Sequence, residues 1–436
     1  MRLVVVALLA LTTACRYGFD PLEGAHADAD AGDDAPASGR VDVTIAGAGA
    51  VVGIGLACVD QCGVDATAPV TLTAVANEGW SFASFSPPCG AGATCVAAPG
   101  STIVATFTPT PITANTVFIS STSPPITGGV AALDAFCQTR ATAAGLAQTF
   151  VAFVSSSTVN AKDRLAGSRG WVRVDGLPFL DQPTDLGSAT LPRGVVLDEA
   201  GGTYPNFVMT GSDRMGVATS QTCMDWTSTA GAVDGVSASY ASYYATGFAS
   251  STCAGSPRVL CVGTGRTVAV ELAPAPFPVG RYVFVTTQPF TIGGGVAAAD
   301  AQCAAEAASN GLPGAYRAIL ASTTQSASDH VGGFAGVWRR PDGIVVARAG
   351  LDHSPLDAAP HLDPTRAVLP NQAGFFGATS ATGLGTMAAT CADWTSTTTG
   401  PPIVVQSNSM FMLGLTAISS AMCGGSAFHL MCAQLP

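Results

Sequence analysis

Thr-Cys-Met-Asp-Trp-Thr-Ser at residues 222–228 indicates how this chain is built, because it returns as Thr-Cys-Ala-Asp-Trp-Thr-Ser at residues 390–396. A second shared stretch, Gly-Gly-Val-Ala-Ala-x-Asp-Ala-x-Cys, lies upstream of each copy, at residues 128–137 and 294–303. Each copy also has four cysteines, which are Cys137, Cys223, Cys253 and Cys261 in one and Cys303, Cys391, Cys423 and Cys432 in the other. Two tandem copies of one cysteine-rich unit therefore fill most of the chain, and we call them the first and second repeat.

Each repeat begins with patterns typical of a strand followed by a helix. Apolar strands are predicted at 117–120 and 283–286, and a helical stripe of apolar or small residues predicts helices over 130–144 and 296–309. We place the first repeat at 116–263 and the second at 281–436. Between them, residues 266–280 contain three prolines and predict a stiff linker. The mixture of helix and strand predicts an α+β fold.

Residues 41–108 predict a separate small β module. Three segments, 41–45, 70–75 and 102–107, alternate with the period of half-buried strands. Two tight cysteine pairs, Cys58 with Cys62 and Cys89 with Cys95, favour local disulfides. A metal site is the alternative, but it needs further ligands and this segment has no histidine. Cys-x-x-x-Cys at 58–62, Gly-Trp-x-Phe at 79–82 and Val-Ala-Thr-Phe at 104–107 resemble the divergent InlB B-repeat-like module of exported bacterial proteins, which implies a spacer or stalk.

The N-terminus resembles a lipoprotein signal. Met-Arg is followed by an apolar run at 3–11 and by Thr-Thr-Ala-Cys at 12–15, which predicts a signal segment over 1–15 with Cys15 as the lipidated residue. An ordinary signal with an incidental cysteine is the alternative. Of the 13 cysteines in the chain, removing Cys15 leaves an even number. The acidic segment 16–40 then predicts a disordered tether, because its like charges repel and it has too little apolar surface to bury. A calcium loop is the alternative, but the spacing of its ligands is not met.

Composition excludes some partners. Charged residues make up only 11% of the chain, the net charge is −11, and Lys162 is the single lysine. No basic stripe is available to neutralise phosphates, so we expect no nucleic acid partner. We expect the chain to bind a membrane, and to do so through its N-terminal lipid.

The two repeats together resemble the DUF1554 or collagenase NC10/endostatin-like domain, a family with the C-type lectin-like fold. The resemblance implies that the outer cysteines of each repeat pair with each other and the inner ones likewise: Cys137 with Cys261, Cys223 with Cys253, Cys303 with Cys432, and Cys391 with Cys423. Spacing alone leaves three connectivities open for four cysteines. The calcium-binding motifs of sugar-binding C-type lectins are not present, and Gln-Pro-Thr-Asp at 182–185 is the nearest approach. Calcium-dependent sugar binding is therefore not expected.

The repeated Asp-Trp pairs are the candidate ligand-binding residues: Asp225 and Trp226 in the first repeat, Asp393 and Trp394 in the second. The Trp rings could stack on a ligand. The favoured interpretation is core packing beside the inner disulfide, because buried aromatic rings commonly pack in this way.

We find no catalytic motif and expect no cofactor and no enzyme activity. The densest polar cluster consists of Asp352, His353, Asp357, His361 and Asp363 in the second repeat. Its spacing could serve a metal ion, but a solvated loop is the favoured interpretation, because spacing does not establish converging ligands.

The sequence thus predicts a non-catalytic lipoprotein, exported and anchored in the outer membrane or on the surface of a Gram-negative bacterium. Its two lectin-like repeats would bind a glycan or a matrix protein, with avidity from the tandem arrangement. A structural or interaction protein of the cell envelope that binds no glycan is the alternative, and a hydrolase is the third. The oligomeric state is left open.

Overall fold

The computed structural model describes residues 38–188, 190–238, 248–255, 257–369, 373–406, 409–410, 422–424 and 428–436. The predicted signal segment, Cys15 and nearly all of the predicted tether lie outside these residues. Ser38–Pro436 forms one compact unit. Within the described ranges, no helix is long and apolar enough to span a bilayer.

The predicted α+β class is wrong. Strands account for 32% of the structure and form several small sheets, whereas helices account for 14%. The protein is therefore closer to an all-β protein. The prediction gave too much weight to one conspicuous helix in each repeat. Many strands of the repeats are only two to five residues long, which is too short to leave a clear alternating pattern in the sequence.

The β module consists of two four-stranded sheets, ordered β4-β1-β8-β6 and β3-β2-β5-β7. Alternate residues of β1 and β8 point inward, where Val41, Val43 and Ile103 are buried. The two sheets therefore enclose one apolar core. The strands are β1 Gly39–Ala46, β2 Gly49–Gly53, β3 Leu56–Cys58, β4 Gln61–Ala66, β5 Val70–Ala76, β6 Trp80–Phe85, β7 Thr94–Ala97 and β8 Thr102–Pro109.

The first repeat is organised around an eight-stranded sheet, in which seven strands follow the order β12-β11-β9-β16-β13-β14-β15 and the eighth, β10, pairs with β16. Helix α1 (Gly129–Ala143) precedes β10 and buries Leu133, Cys137 and Ala141. The strands are β9 Asn115–Ile119, β10 Thr149–Ala152, β11 Trp171–Arg173, β12 Pro178–Leu180, β13 Phe207–Met209, β14 Ala232–Ser237, β15 Phe248–Thr252 and β16 Arg258–Thr264.

The second repeat keeps the same centre, since its first strand again pairs antiparallel with its last. It has a five-stranded sheet, β18-β23-β17-β19-β20, and a two-stranded sheet, β21-β22. The strands are β17 Arg281–Val285, β18 Tyr316–Ala318, β19 Trp338–Arg339, β20 Val345–Ala347, β21 Ala373–Phe375, β22 Val404–Gln406 and β23 Met431–Gln434. The helices are α2 Gly295–Ser309 and the short α3 Ala327–His330.

The shared Ala-x-Asp-Ala-x-Cys motif fastens the helix to the sheet. Asp134 accepts a hydrogen bond from the backbone N–H of Ala152 on β10 (2.9 Å), and Asp300 accepts the equivalent bond from Ala318 on β18 (3.0 Å). Three residues later, the motif cysteine is fully buried and bonded to the last strand of its repeat. The two motif residues therefore hold the helix against two neighbouring strands, β10 and β16 in the first repeat and β18 and β23 in the second.

The prediction of a disulfide-bonded protein is confirmed, because six cysteine pairs are joined. They are Cys58–Cys62, Cys89–Cys95, Cys137–Cys261, Cys223–Cys253, Cys303–Cys432 and Cys391–Cys423. Disulfides in this number persist in oxidising compartments, which indicates an extracellular or periplasmic location.

Candidate functional site

The repeated Cys-x-Asp-Trp stretch is a left-handed turn in both repeats. All four residues from Cys223 to Trp226 have φ between 52° and 66°, and those from Cys391 to Trp394 lie between 50° and 66°. Residues other than Gly, Asn and Asp seldom adopt this conformation, which costs an L-residue about 1–2 kcal/mol. Surrounding contacts must offset that cost, and they are the same in both copies.

The aspartate of each turn ties it to an upstream loop. Asp225 accepts hydrogen bonds from the backbone N–H (2.7 Å) and the hydroxyl of Ser157. Asp393 does the same with the backbone N–H (2.7 Å) and hydroxyl (2.6 Å) of Thr323. These bonds from Ser157 also lower the pKa of Asp225. Both carboxylates are thus engaged within the protein.

The tryptophan of each turn is a core residue. Trp226 and Trp394 are completely buried. Their indole N–H groups donate to the backbone oxygens of Ser155 (2.7 Å) and Ala321 (2.9 Å). Each ring packs in the core cluster that contains its inner disulfide. The structure therefore places both rings where the core-packing interpretation expected them, away from the surface that a ligand could reach.

The sequence held a signal for these contacts that the sequence analysis missed. A run of hydroxyl residues precedes each turn at a similar spacing, at 155–158 and 322–324, and supplies the partners of both aspartates, 68 residues before Asp225 and 70 before Asp393. The left-handed backbone itself had no signal, since Cys, Met, Ala and Trp have no preference for positive φ.

Exposed apolar side chains lie on the loops around each turn. We define the first loop face as Val159, Met215 and Met224, and the second loop face as Leu384, Met387 and Met422. These six side chains are between 44% and 70% exposed. The other large apolar side chains recorded as exposed in the described residues are Ile54, Val96 and Val268.

Backbone contacts place the members of each loop face next to the turn. Met224 lies in the first turn, and Val159 follows Ser157, which is bonded to Asp225 of that turn. In the same loop, the side-chain oxygen of Asn160 accepts a hydrogen bond from the backbone N–H of Ala218 (2.9 Å), three residues after Met215. In the second repeat, Met387 accepts a bond from Ala392 of the turn (2.8 Å), and Met422 precedes the Cys423 that is bonded to Cys391. Gly385, which follows Leu384, donates to Ser322 beside the Thr323 loop (2.8 Å).

The candidate metal residues are not brought together. Asp352 and His353 are exposed neighbours, 3.5 Å apart between Oδ1 and Nδ1, whereas Asp357 forms an ion pair with Arg348. His361 is fully buried against Arg340, and Asp363 accepts bonds from its own turn. No group of three or more metal-ligating side chains occurs among the described residues. The expectation of one solvated loop is also wrong for His361 and Asp363, since both are buried, and Asp357 is half-buried.

His361 predicts a pH dependence of stability. Burial, together with the Arg340 guanidinium 3.5 Å away, lowers its pKa well below the usual 6.5. Below pH 6.5 the unfolded chain therefore binds a proton that the folded chain does not, so the folded state becomes less stable as the pH is lowered. Relative to His361→Gln, the wild type should lose up to about 2 kcal/mol of unfolding free energy between pH 7.5 and 5.

Urea denaturation at several pH values measures this difference in unfolding free energy. The contributions of the other titrating groups cancel in the difference, because both proteins contain those groups. The exposed His353→Gln is the matched control for the loss of a histidine side chain that is not buried. Identical pH profiles for His361→Gln and the wild type would show that His361 binds a proton in the folded protein.

Two comparisons were made, one with protein families and one with curated proteins. No known protein family matches the sequence, and no curated protein matches it. What the repeats do must therefore be argued from their own residues.

Proposed function

We propose that this chain is a non-catalytic, lipid-anchored protein of the bacterial surface whose two lectin-like repeats bind a ligand, a glycan or a matrix protein, in adhesion. The N-terminal signal with Cys15 and the acidic tether 16–40 support the anchor, and the six disulfides agree with export. The loop faces are the surfaces that we assign to binding.

The observation that carries the proposal is the repeated placement of exposed apolar side chains around the same turn. Soluble proteins seldom leave large apolar side chains gathered on one surface unless that surface binds something. Methionine, which supplies four of the six side chains, is common on binding surfaces because its flexible thioether adapts to different partners. Loops on a rigid scaffold are also where binding residues concentrate.

The chemistry of the loop faces favours a protein ligand over a glycan. Sugars are commonly held by exposed aromatic rings and polar groups, whereas both Trp rings of the turns are buried and both Asp carboxylates are engaged by hydroxyl groups. Aliphatic and thioether side chains bind best to other apolar surface. A role as an envelope interaction protein without glycan binding is the second candidate, and it rests on this same observation.

Binding is tested with Ser38–Pro436 on an array of matrix proteins and glycans, with and without calcium. Replacing Met215, Met224, Leu384, Met387 and Met422 by Gln should weaken a positive signal at least a hundredfold, since burial of only two such side chains against the ligand contributes about 3 kcal/mol and each tenfold corresponds to about 1.4 kcal/mol. Ile54→Gln with Val268→Gln is the control for exposed apolar residues elsewhere. Silence across the array, or equal binding by the loop-face variant, would contradict the proposal.

A further inference from the structure

The β module and the two repeats meet around one buried arginine. Arg193, in the extended segment before Val196 of the first repeat, has no exposed surface. Its guanidinium donates to the Glu78 carboxylate, which lies between β5 and β6 of the β module, and this ion pair is largely buried on both sides. One side chain of the first repeat thus reaches directly into the β module.

The second repeat contacts the same segment of the first. The backbone N–H of Ala359 donates to the carbonyl of Pro192 (3.0 Å), the residue before Arg193. Next to this bond, Val196 and Leu197 of the first repeat pack with Ala359 and Met410 of the second in one small apolar cluster. Residues 192–197 are therefore covered by both neighbours at once.

The charges at this junction are balanced. Arg348 and Asp357 of the second repeat form an ion pair, 2.8 Å between Nε and Oδ2, and Asp357 attracts Arg193 while Arg348 attracts Glu78. An equivalent ion pair from each repeat flanks them, Arg173 with Asp175 in the first repeat and Arg340 with Asp342 in the second. Four guanidinium groups thus face four carboxylates, and His361 beside Arg340 is held neutral by its burial.

Part of the predicted linker also belongs to the junction. Phe277 is buried in a cluster with Ala50 of the β module and with Val337 and Val345 of the second repeat. Its backbone N–H donates to Gly343 (3.1 Å), and its carbonyl accepts from Arg339 (2.5 Å). The segment that the prolines predicted to be a stiff linker therefore packs against both the β module and the second repeat at this point.

We infer that this junction is a conformational lock in which Arg193 is the positioning residue: it fixes the β module and both repeats in one arrangement, so that the two loop faces are presented at a constant spacing. The lock does not depend on which ligand the loop faces bind. Its physical basis is the cost of burying charge, because a buried ion pair that loses one partner leaves the other charge uncompensated, whereas replacing both partners by apolar side chains is often neutral.

The Arg193→Ala variant of Ser38–Pro436 tests the lock. Two measurements are needed that report how the modules are arranged and stay constant as long as each repeat is folded. Hydrogen exchange should become roughly a hundredfold faster at the amide of Ala359, which bonds to the first repeat, and at the amide of Phe277, which bonds the linker to the second repeat at the junction. The radius of gyration from small-angle X-ray scattering should rise. The amides of α1 and α2, inside the repeats, should keep their protection. Arg169→Ala, which removes a partly exposed ion pair with Asp181 inside the first repeat, is the matched control and should change neither measurement.

Two further variants keep the test decisive if Arg193→Ala fails to fold. Glu78→Ala removes the partner from the β module side and should open the same contacts. Arg193→Met combined with Glu78→Leu replaces the whole pair and should restore protection at Ala359 and Phe277. Unchanged exchange and radius of gyration in the folded single variants, or a wild type whose scattering already requires separated modules, would overturn the inference.

Discussion

Replacing Cys303 and Cys432 together by Ser is expected to destabilise the second repeat by about 5 kcal/mol. This disulfide joins α2 to β23 across a separation of 129 residues, and both cysteines are fully buried. Closing so long a loop removes much of the freedom of the unfolded chain, which is the main source of the stabilisation in the chain-entropy account. The loss is comparable to the whole stability of many domains.

Guanidinium denaturation, followed by the near-ultraviolet circular dichroism of the wild type and the double variant, measures this loss. Cys58→Ser with Cys62→Ser is the matched control, because a separation of only 4 residues should contribute about 2 kcal/mol by the same relation. A loss for the long loop no larger than that for the short one would mean that loop closure does not explain how these repeats are stabilised.

The second large effect is expected from Trp394→Ala, at about 3–5 kcal/mol. The ring is completely buried beside the inner disulfide, so its removal leaves a cavity in the core of the second repeat. The carbonyl of Ala321 also loses the indole N–H as its partner, and a buried acceptor without a partner adds to the cost. The strained left-handed turn then loses one of the contacts that hold it.

Thermal or chemical unfolding of the variant gives the size of the effect, and Trp226→Ala should reproduce it in the first repeat. Trp80→Ala, at a half-buried position of the β module, is the control and should cost less. If Trp394→Ala left stability unchanged but abolished ligand binding, the ring would be a binding residue and the core-packing account would be wrong.

Local patterns in the sequence predicted the helices well. The predicted helices 130–144 and 296–309 are confirmed as Gly129–Ala143 and Gly295–Ser309. The reason is physical: each helix buries one stripe against the sheet, and a stripe of period 3.6 is visible in a single sequence. The duplication itself also survives in three dimensions, since both repeats place the same Asp and Cys of that helix against the same strands.

Features that depend on distant residues could not be read from the chain. The strands are short and pair over long separations, so the α+β prediction missed how much of the structure is sheet. The left-handed turn is stabilised by Ser157 and Thr323 from another loop, against the local preference of its own residues. His361 and Asp363 were expected on a solvated loop, but the fold buries both, and Arg193 is buried where it pairs with Glu78 of the β module.

The candidate site changed in the same way. Asp225 and Asp393 stood out in the sequence because they are repeated, but the structure gives each a partner inside its own repeat. The exposed methionines and Leu384 drew no attention in the sequence, because exposure is a property of the folded chain. The repeated stretch thus marks the scaffold, and the loop faces beside it mark the surface that we propose for binding.

The central claim is that each repeat is one disulfide-bonded unit, with its helix joined to its last strand and its left-handed turn joined to the segment before that strand. Non-reducing peptide mapping of the exported protein by mass spectrometry tests this most directly. We predict the linked peptides Cys137–Cys261, Cys223–Cys253, Cys303–Cys432 and Cys391–Cys423, together with the two short pairs of the β module. Free thiols at these positions, or links between the two repeats, would contradict it.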